Sequence, residues 1–158
     1  PGVKNAAVRK LLHELGIENA DPKKMKFLTR LHYWAADTVT HGSKSPWGEH
    51  EVDYVLFYTV PHKDSLSVSP NKEEIRDVKW VSSAELQTML EDKNLLFSPW
   101  FRLIYYKWLR DCWWKDLKVT MSTDKWVDVE GIHEFEPPKE HFGGAGDARQ
   151  LFAAFEKA

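Results

Sequence analysis

The sequence predicts an α/β (α+β) domain, and three observations carry that reading. An apolar stripe at helical spacing runs over residues 5–15, two β-rich segments flank a turn-prone linker within residues 27–60, and serines open two later helices. At 158 residues the chain has the size of one domain, and 42% hydrophobic with 13% aromatic residues is ample for a core.

The first helix is read from Ala7, Leu11 and Leu15, with Val8 and Leu12 beside them, which line one helical face. Asn5 is its expected N-cap and Gly16 its stop. Residues 27–36 read as a strand, residues 37–48 as a long turn, and the segment after it as a second strand antiparallel to the first. Val78, Lys79, Trp80 and Val81 read as a short further strand. Ser82 or Ser83 then caps a helix with Glu85 or Leu86 at its third position. Ser98 before Pro99 opens a last, strongly aromatic helix over residues 101–114.

From about Lys118 the composition turns polar, and Pro137, Pro138 and a glycine cluster at 143–146 precede a final helical piece at 148–156. This divides the chain into a domain over 1–117 and a partly flexible extension over 118–158. The glycine cluster lacks the lysine and following Ser or Thr of a phosphate loop and reads as linker.

Composition excludes several classes. With 22 basic and 24 acidic residues intermixed, there is no basic footprint for nucleic acid. No apolar run reaches the roughly 18 residues of a membrane span, and no leader pattern is present, so a soluble protein is expected. The single cysteine, Cys112, rules out an internal disulfide framework and reads as a small hydrophobe in the aromatic helix.

The run Trp47-Gly48-Glu49-His50-Glu51-Val52-Asp53-Tyr54 carries the chemistry. Side chains of an extended strand alternate, so Glu49, Glu51 and Asp53 point one way while His50, Val52 and Tyr54 point the other. Like charges crowded together need a cation or a proton to compensate them. The same alternation also marks a solvated strand end, and the pattern alone leaves both readings open.

Several stretches together resemble the type I isopentenyl diphosphate isomerases of the Nudix superfamily. They are residues 2–17, Leu31-His32-Tyr33, the run at 47–54, Val78-Lys79-Trp80 and Phe97-Ser98-Pro99-Trp100. The resemblance covers about residues 1–117 and implies a partial Nudix α/β/α sandwich with a mixed sheet, its N-terminal strands missing. The helix departs from the hydrolase pattern, because Lys10 follows Arg9 and His13 stands where a second acid belongs.

The family reaction interconverts isopentenyl and dimethylallyl diphosphate by protonation and deprotonation through a carbocation. The resemblance implies Glu51 and Tyr33 as catalytic residues, with the Tyr33 hydroxyl beside Glu51. Glu49, Glu51 and Glu14 become metal ligands, and Arg9, Lys10 and Trp100 substrate-binding residues, the Trp100 ring facing the cation. The implied cofactor is a divalent metal, magnesium, with manganese or zinc as alternatives in a buried site. A Lys10–Glu14 ion pair at helical spacing is the plain structural alternative for those two residues.

The family's partner cysteine and metal-binding histidines match nothing in this sequence, and Cys112 is no substitute. The chain alone is therefore expected to be an inactive C-terminal fragment. A small-molecule diphosphate is the expected partner of a monomer or weak dimer, without nucleic acid or membrane, in cytosol or plastid. The alternative functional reading is a non-catalytic diphosphate-binding or interaction module.

Overall fold

The computed structural model describes residues 2–37, 41, 45–92 and 94–134. The first helix, α1, spans Gly2–Leu15 and so begins before Asn5, which lies inside it rather than capping it. The expected stop is where it belongs: Gly16 has φ +63°, and a Cβ there would stand 2.5 Å from the Ser69 carbonyl oxygen, so only glycine fits. The Leu15 and Glu14 carbonyls accept from the Ser69 and Asn71 N–H groups, each at 2.8 Å, which ties the end of α1 to the loop crossing it.

Strand β1, Met25–Ala36, pairs antiparallel with β2, Gly48–Tyr58, from Met25 opposite Tyr58 to Ala36 opposite Gly48. A β-bulge between Phe27 and Thr29 inserts Leu28 as an unpaired residue. A third short strand, β3, Ile132–Glu134, runs parallel to β1 alongside Arg30, Leu31 and His32, giving a mixed sheet of order β2-β1-β3. Helices cover both faces. On one, Ala7, Val8, Leu11 and Leu15 of α1 pack with Met25, Leu56 and Tyr58. On the other, Leu28, Leu31 and Tyr33 pack with Ile104 and Trp113. The α/β class expected from the sequence is the class observed, with three strands among the described residues.

The expected strand at residues 78–81 does not form. Val78 and Trp80 are exposed and no strand among the described residues pairs with their backbone, so apolar character alone does not make a ladder. The segment instead delivers Ser82 to the N-cap of α2, Ser83–Glu91, where the Ser82 Oγ accepts from the Glu85 N–H at 3.3 Å and Glu85 Oε2 accepts from the Ser82 N–H at 2.7 Å. Helix α3, Pro99–Ile104, follows Ser98, which accepts through its carbonyl and makes no side-chain cap.

The rest of the aromatic helix is π-helical over Tyr105–Trp113, and its end is closed by the Trp114 N–H on the Leu109 carbonyl at 2.8 Å. Tyr105 and Trp113 are both buried on it, and the Trp113 ring stacks on Trp108 at 5.4 Å and meets Phe57 edge-on at 5.6 Å.

Packing continues through the first part of the expected extension. Helix α4, Leu117–Ser122, buries Thr120, whose hydroxyl donates to the Trp113 carbonyl at 2.9 Å. The Asp128 N–H then donates to the bulge carbonyl of Leu28 at 2.7 Å, just before β3 joins the sheet. The proline pair, the glycine cluster and the helix expected at 148–156 lie outside the described residues. No described helix is long and apolar enough to cross a membrane.

Candidate functional site

Direct partners across an antiparallel ladder share a face. Ala35 stands opposite Glu49, Tyr33 opposite Glu51 and Leu31 opposite Asp53, so the three carboxylates line up on the face that carries Tyr33. The same face packs against α3 and the π-helical segment, and Trp100 of α3 is partly buried against the cluster that holds Tyr33. Strand alternation and helix docking therefore bring Glu49, Glu51, Asp53, Tyr33 and Trp100 to one side of the sheet.

Exposure separates the acids. Glu49 and Glu51 are exposed at the outer end of β2, in contrast to the buried pair expected from the sequence. Asp53, one step further towards Val55 and Phe57, is only partly exposed, and its Oδ2 is buried with no hydrogen bond among the described residues. Burial, then the charges of Glu51 and Glu49, push the Asp53 carboxyl up to about 6. Asp53 is thus the perturbed acid of the face. The run already aimed it with the two glutamates, and its position at the apolar end was the sign that it lies deepest.

Tyr33 is 2% exposed. Burial first, then Glu49, raise its phenol above the ordinary tyrosine value, with smaller contributions from Asp53 and Glu51. The hydroxyl was expected beside Glu51, and the register puts Glu51 directly opposite Tyr33, while Glu49, its diagonal neighbour, acts on the phenol most strongly.

The residues expected from α1 are elsewhere. Lys10 forms an ion pair with Glu14, and both line a small cleft of about 250 Å³ with Met25, Leu56 and Tyr58. Leu56 is five residues along β2 from Glu51, roughly 17 Å at the usual strand rise, and alternation places it on the opposite face. Arg9 is exposed on the same helix. Glu14 therefore does not join Glu49 and Glu51, and the α1 cations do not share their pocket. Cys112 sits half-buried on the π-helical segment, packed against the aromatic core.

Carboxylate oxygens are the donors that magnesium and related hard cations take. Among the described residues, however, no three His, Cys, Asp or Glu side chains are grouped so as to hold a metal. The acid face has the right donor type and an incomplete donor set.

The chain is also similar to known proteins. The sequence pattern of the NUDIX domain matches residues 2–101. The isopentenyl-diphosphate delta-isomerase of Candida albicans is 45% identical over 134 residues, covering 84% of this chain and 44% of that protein. Its namesake in Schizosaccharomyces pombe is 46% identical over 118 residues, 73% of this chain and 47% of the relative. The isopentenyl-diphosphate Delta-isomerase 1 of Mesocricetus auratus is 37% identical over 137 residues, 84% and 54% respectively. The chain spans about half the length of the curated relatives it matches.

Proposed function

The chain belongs to the NUDIX domain family, and on that premise we propose that it carries the acid half of a site that interconverts isopentenyl and dimethylallyl diphosphate. One observation carries the reading. The β1–β2 register sets Glu51 opposite Tyr33 on the face against which Trp100 packs. Identity of 37–46% to proteins named for this isomerisation supports it.

In this scheme the Glu51 carboxylic acid gives its proton to the terminal alkene carbon, the C=C electron pair forms the new C–H bond, and the adjacent carbon becomes a tertiary cation. The electron-rich face of Trp100 stabilises that cation in a desolvated pocket, an interaction worth about 2 kcal/mol. Loss of a proton from the neighbouring CH₂ to a base then forms the internal double bond. Tyr33 acts as a positioning residue through Glu49, fixing the edge of the acid face from which Glu51 projects.

The cofactor in this reading is a divalent metal, magnesium or one of its manganese and zinc alternatives, for which this chain supplies Glu49 and Glu51. The described residues do not complete that centre. Arg9 and Lys10 remain the cations assigned to a diphosphate by resemblance, on the helix that packs against the opposite face of the sheet. The site of action in this reading is the cytoplasm or a plastid.

The cysteine that the resemblance pairs with Glu51 matches nothing in this sequence, so the 158-residue chain by itself is expected not to turn over substrate. A chimera tests the proposal. Residues 2–134 replace the matching portion of the Candida albicans enzyme, and conversion of isopentenyl diphosphate is followed with magnesium. Turnover is expected, with a loss of at least about 100-fold in the Glu51→Gln chimera. A folded chimera without turnover would sink the assignment. If it still bound diphosphate, it would support the second reading, a non-catalytic binding module, which the exposure of Glu49 and Glu51 favours.

A further inference from the structure

On the face of the sheet opposite the acids, β1 and β2 bring two imidazoles together. His32 stands across from Val52 and His50 across from Trp34, which makes the two histidines diagonal neighbours on one face. Their Nε2 atoms lie 2.9 Å apart, with ring centroids 5.0 Å apart and planes tilted by 37°. Both rings open onto a cavity of about 570 Å³ that Trp34, Trp47 and Glu49 also line.

We infer that His32 and His50 form a binding site for a late first-row divalent cation of the zinc and copper type, with the two imidazoles rather than the acids as its ligands. Two imidazole nitrogens held this close together, facing one another, are the starting arrangement of a chelating pair. A tetrahedral zinc at 2.0–2.1 Å from each nitrogen sets the two about 3.3 Å apart, so small rotations of the rings admit the ion. The alternative, a hydrogen bond between the two rings, requires one Nε2 to carry a hydrogen and the other to lack it, and competes with water at this exposed position.

Donor chemistry sets the selectivity. Imidazole nitrogen suits zinc, copper and nickel, whereas magnesium takes oxygen, so the two faces of one strand pair sort different cations. The open cavity leaves room for water in the remaining coordination positions. Among the described residues no third protein ligand is grouped with the pair, and neither Nδ1 has a hydrogen-bond partner. Ligating histidines in tight sites are normally anchored through that second nitrogen. The site is therefore exchangeable rather than structural.

Calorimetric titration of the 158-residue chain with zinc chloride, in an excess of magnesium chloride, tests this. The expected result is one zinc ion per chain. His32→Gln and His50→Gln each weaken binding at least tenfold, and the Glu49→Gln/Glu51→Gln double variant retains it. Zinc-induced shifts of the two imidazole nitrogen resonances in the unsubstituted chain give a readout that needs no variant to fold. Absence of zinc heat and of imidazole shifts would overturn the inference, as would binding that survives both histidine substitutions or disappears with the glutamates.

Discussion

Tyr33 stands directly across the ladder from Glu51, yet the acid that acts most strongly on its buried hydroxyl is Glu49. The phenol is thus coupled more to the outer acid than to its immediate partner. In a double-mutant cycle read by urea denaturation, Tyr33→Phe and Glu49→Gln are expected to couple by about 0.5–1 kcal/mol. Tyr33→Phe and Glu51→Gln are expected to couple by less. Equal coupling in both cycles would show that the hydroxyl does not discriminate between them.

Asp53 makes stability depend on pH in a direction unusual for an aspartate. Its folded carboxyl titrates at about 6 against an ordinary 3.8, so between these values the folded state holds more proton than the unfolded state. Stability from this group is present below the ordinary value and is lost as pH rises through about 6. Asp53→Asn should therefore raise the melting temperature at neutral pH, with the gain fading as pH falls below the ordinary aspartate range. A gain independent of pH would point to packing rather than charge.

Leu31 is fully buried and stands opposite Asp53, between the acid face and the aromatic core. Leu31→Ala should lower stability by about 3 kcal/mol, from lost transfer energy together with the cavity left behind. Chemical denaturation measures the loss, and an effect below about 1 kcal/mol would mean that the site collapses freely.

Gly48 begins β2 against the backbone at the end of β1. A Cβ there would lie 2.3 Å from the Ala35 carbonyl oxygen and 3.0 Å from the Ala36 Cα, both backbone atoms. Gly48→Ala should cost about 1–3 kcal/mol by forcing the strands apart. The displacement falls next to Glu49, so the Tyr33 coupling described above should shrink in this variant. Unchanged stability and coupling would contradict the close approach.

Much of this was legible in the sequence because it depends on local periodicity. Alternation along β2 put Glu49, Glu51 and Asp53 on one face, the serine and glutamate three residues apart gave the α2 cap, and Gly16 marked the end of α1. What was not legible depends on distant partners. Residues 78–81 have strand-like composition but pair with no strand among the described residues, and the π-helical turn at 105–113 shares its apolar pattern with an ordinary helix. Residues 118–134 look like a polar tail until Thr120, Asp128 and β3 are seen against Trp113, Leu28 and β1. The division of the expected site between two faces was equally invisible, because α1 and β2 each read correctly alone and only their docking separates Glu14 from Glu51.

The unpaired Leu28 has a consequence for the whole strand, because it switches the parity of β1 partway along. Before it, odd-numbered Met25 faces α1; after it, odd-numbered Leu31 and Tyr33 face the acids. Pairing that residue regularly in the ladder, with the register around Met25 kept, would turn Tyr33 towards α1's side and bring His32 and Trp34 round to the carboxylates. A single backbone insertion therefore decides which chemistry each side of the strand displays.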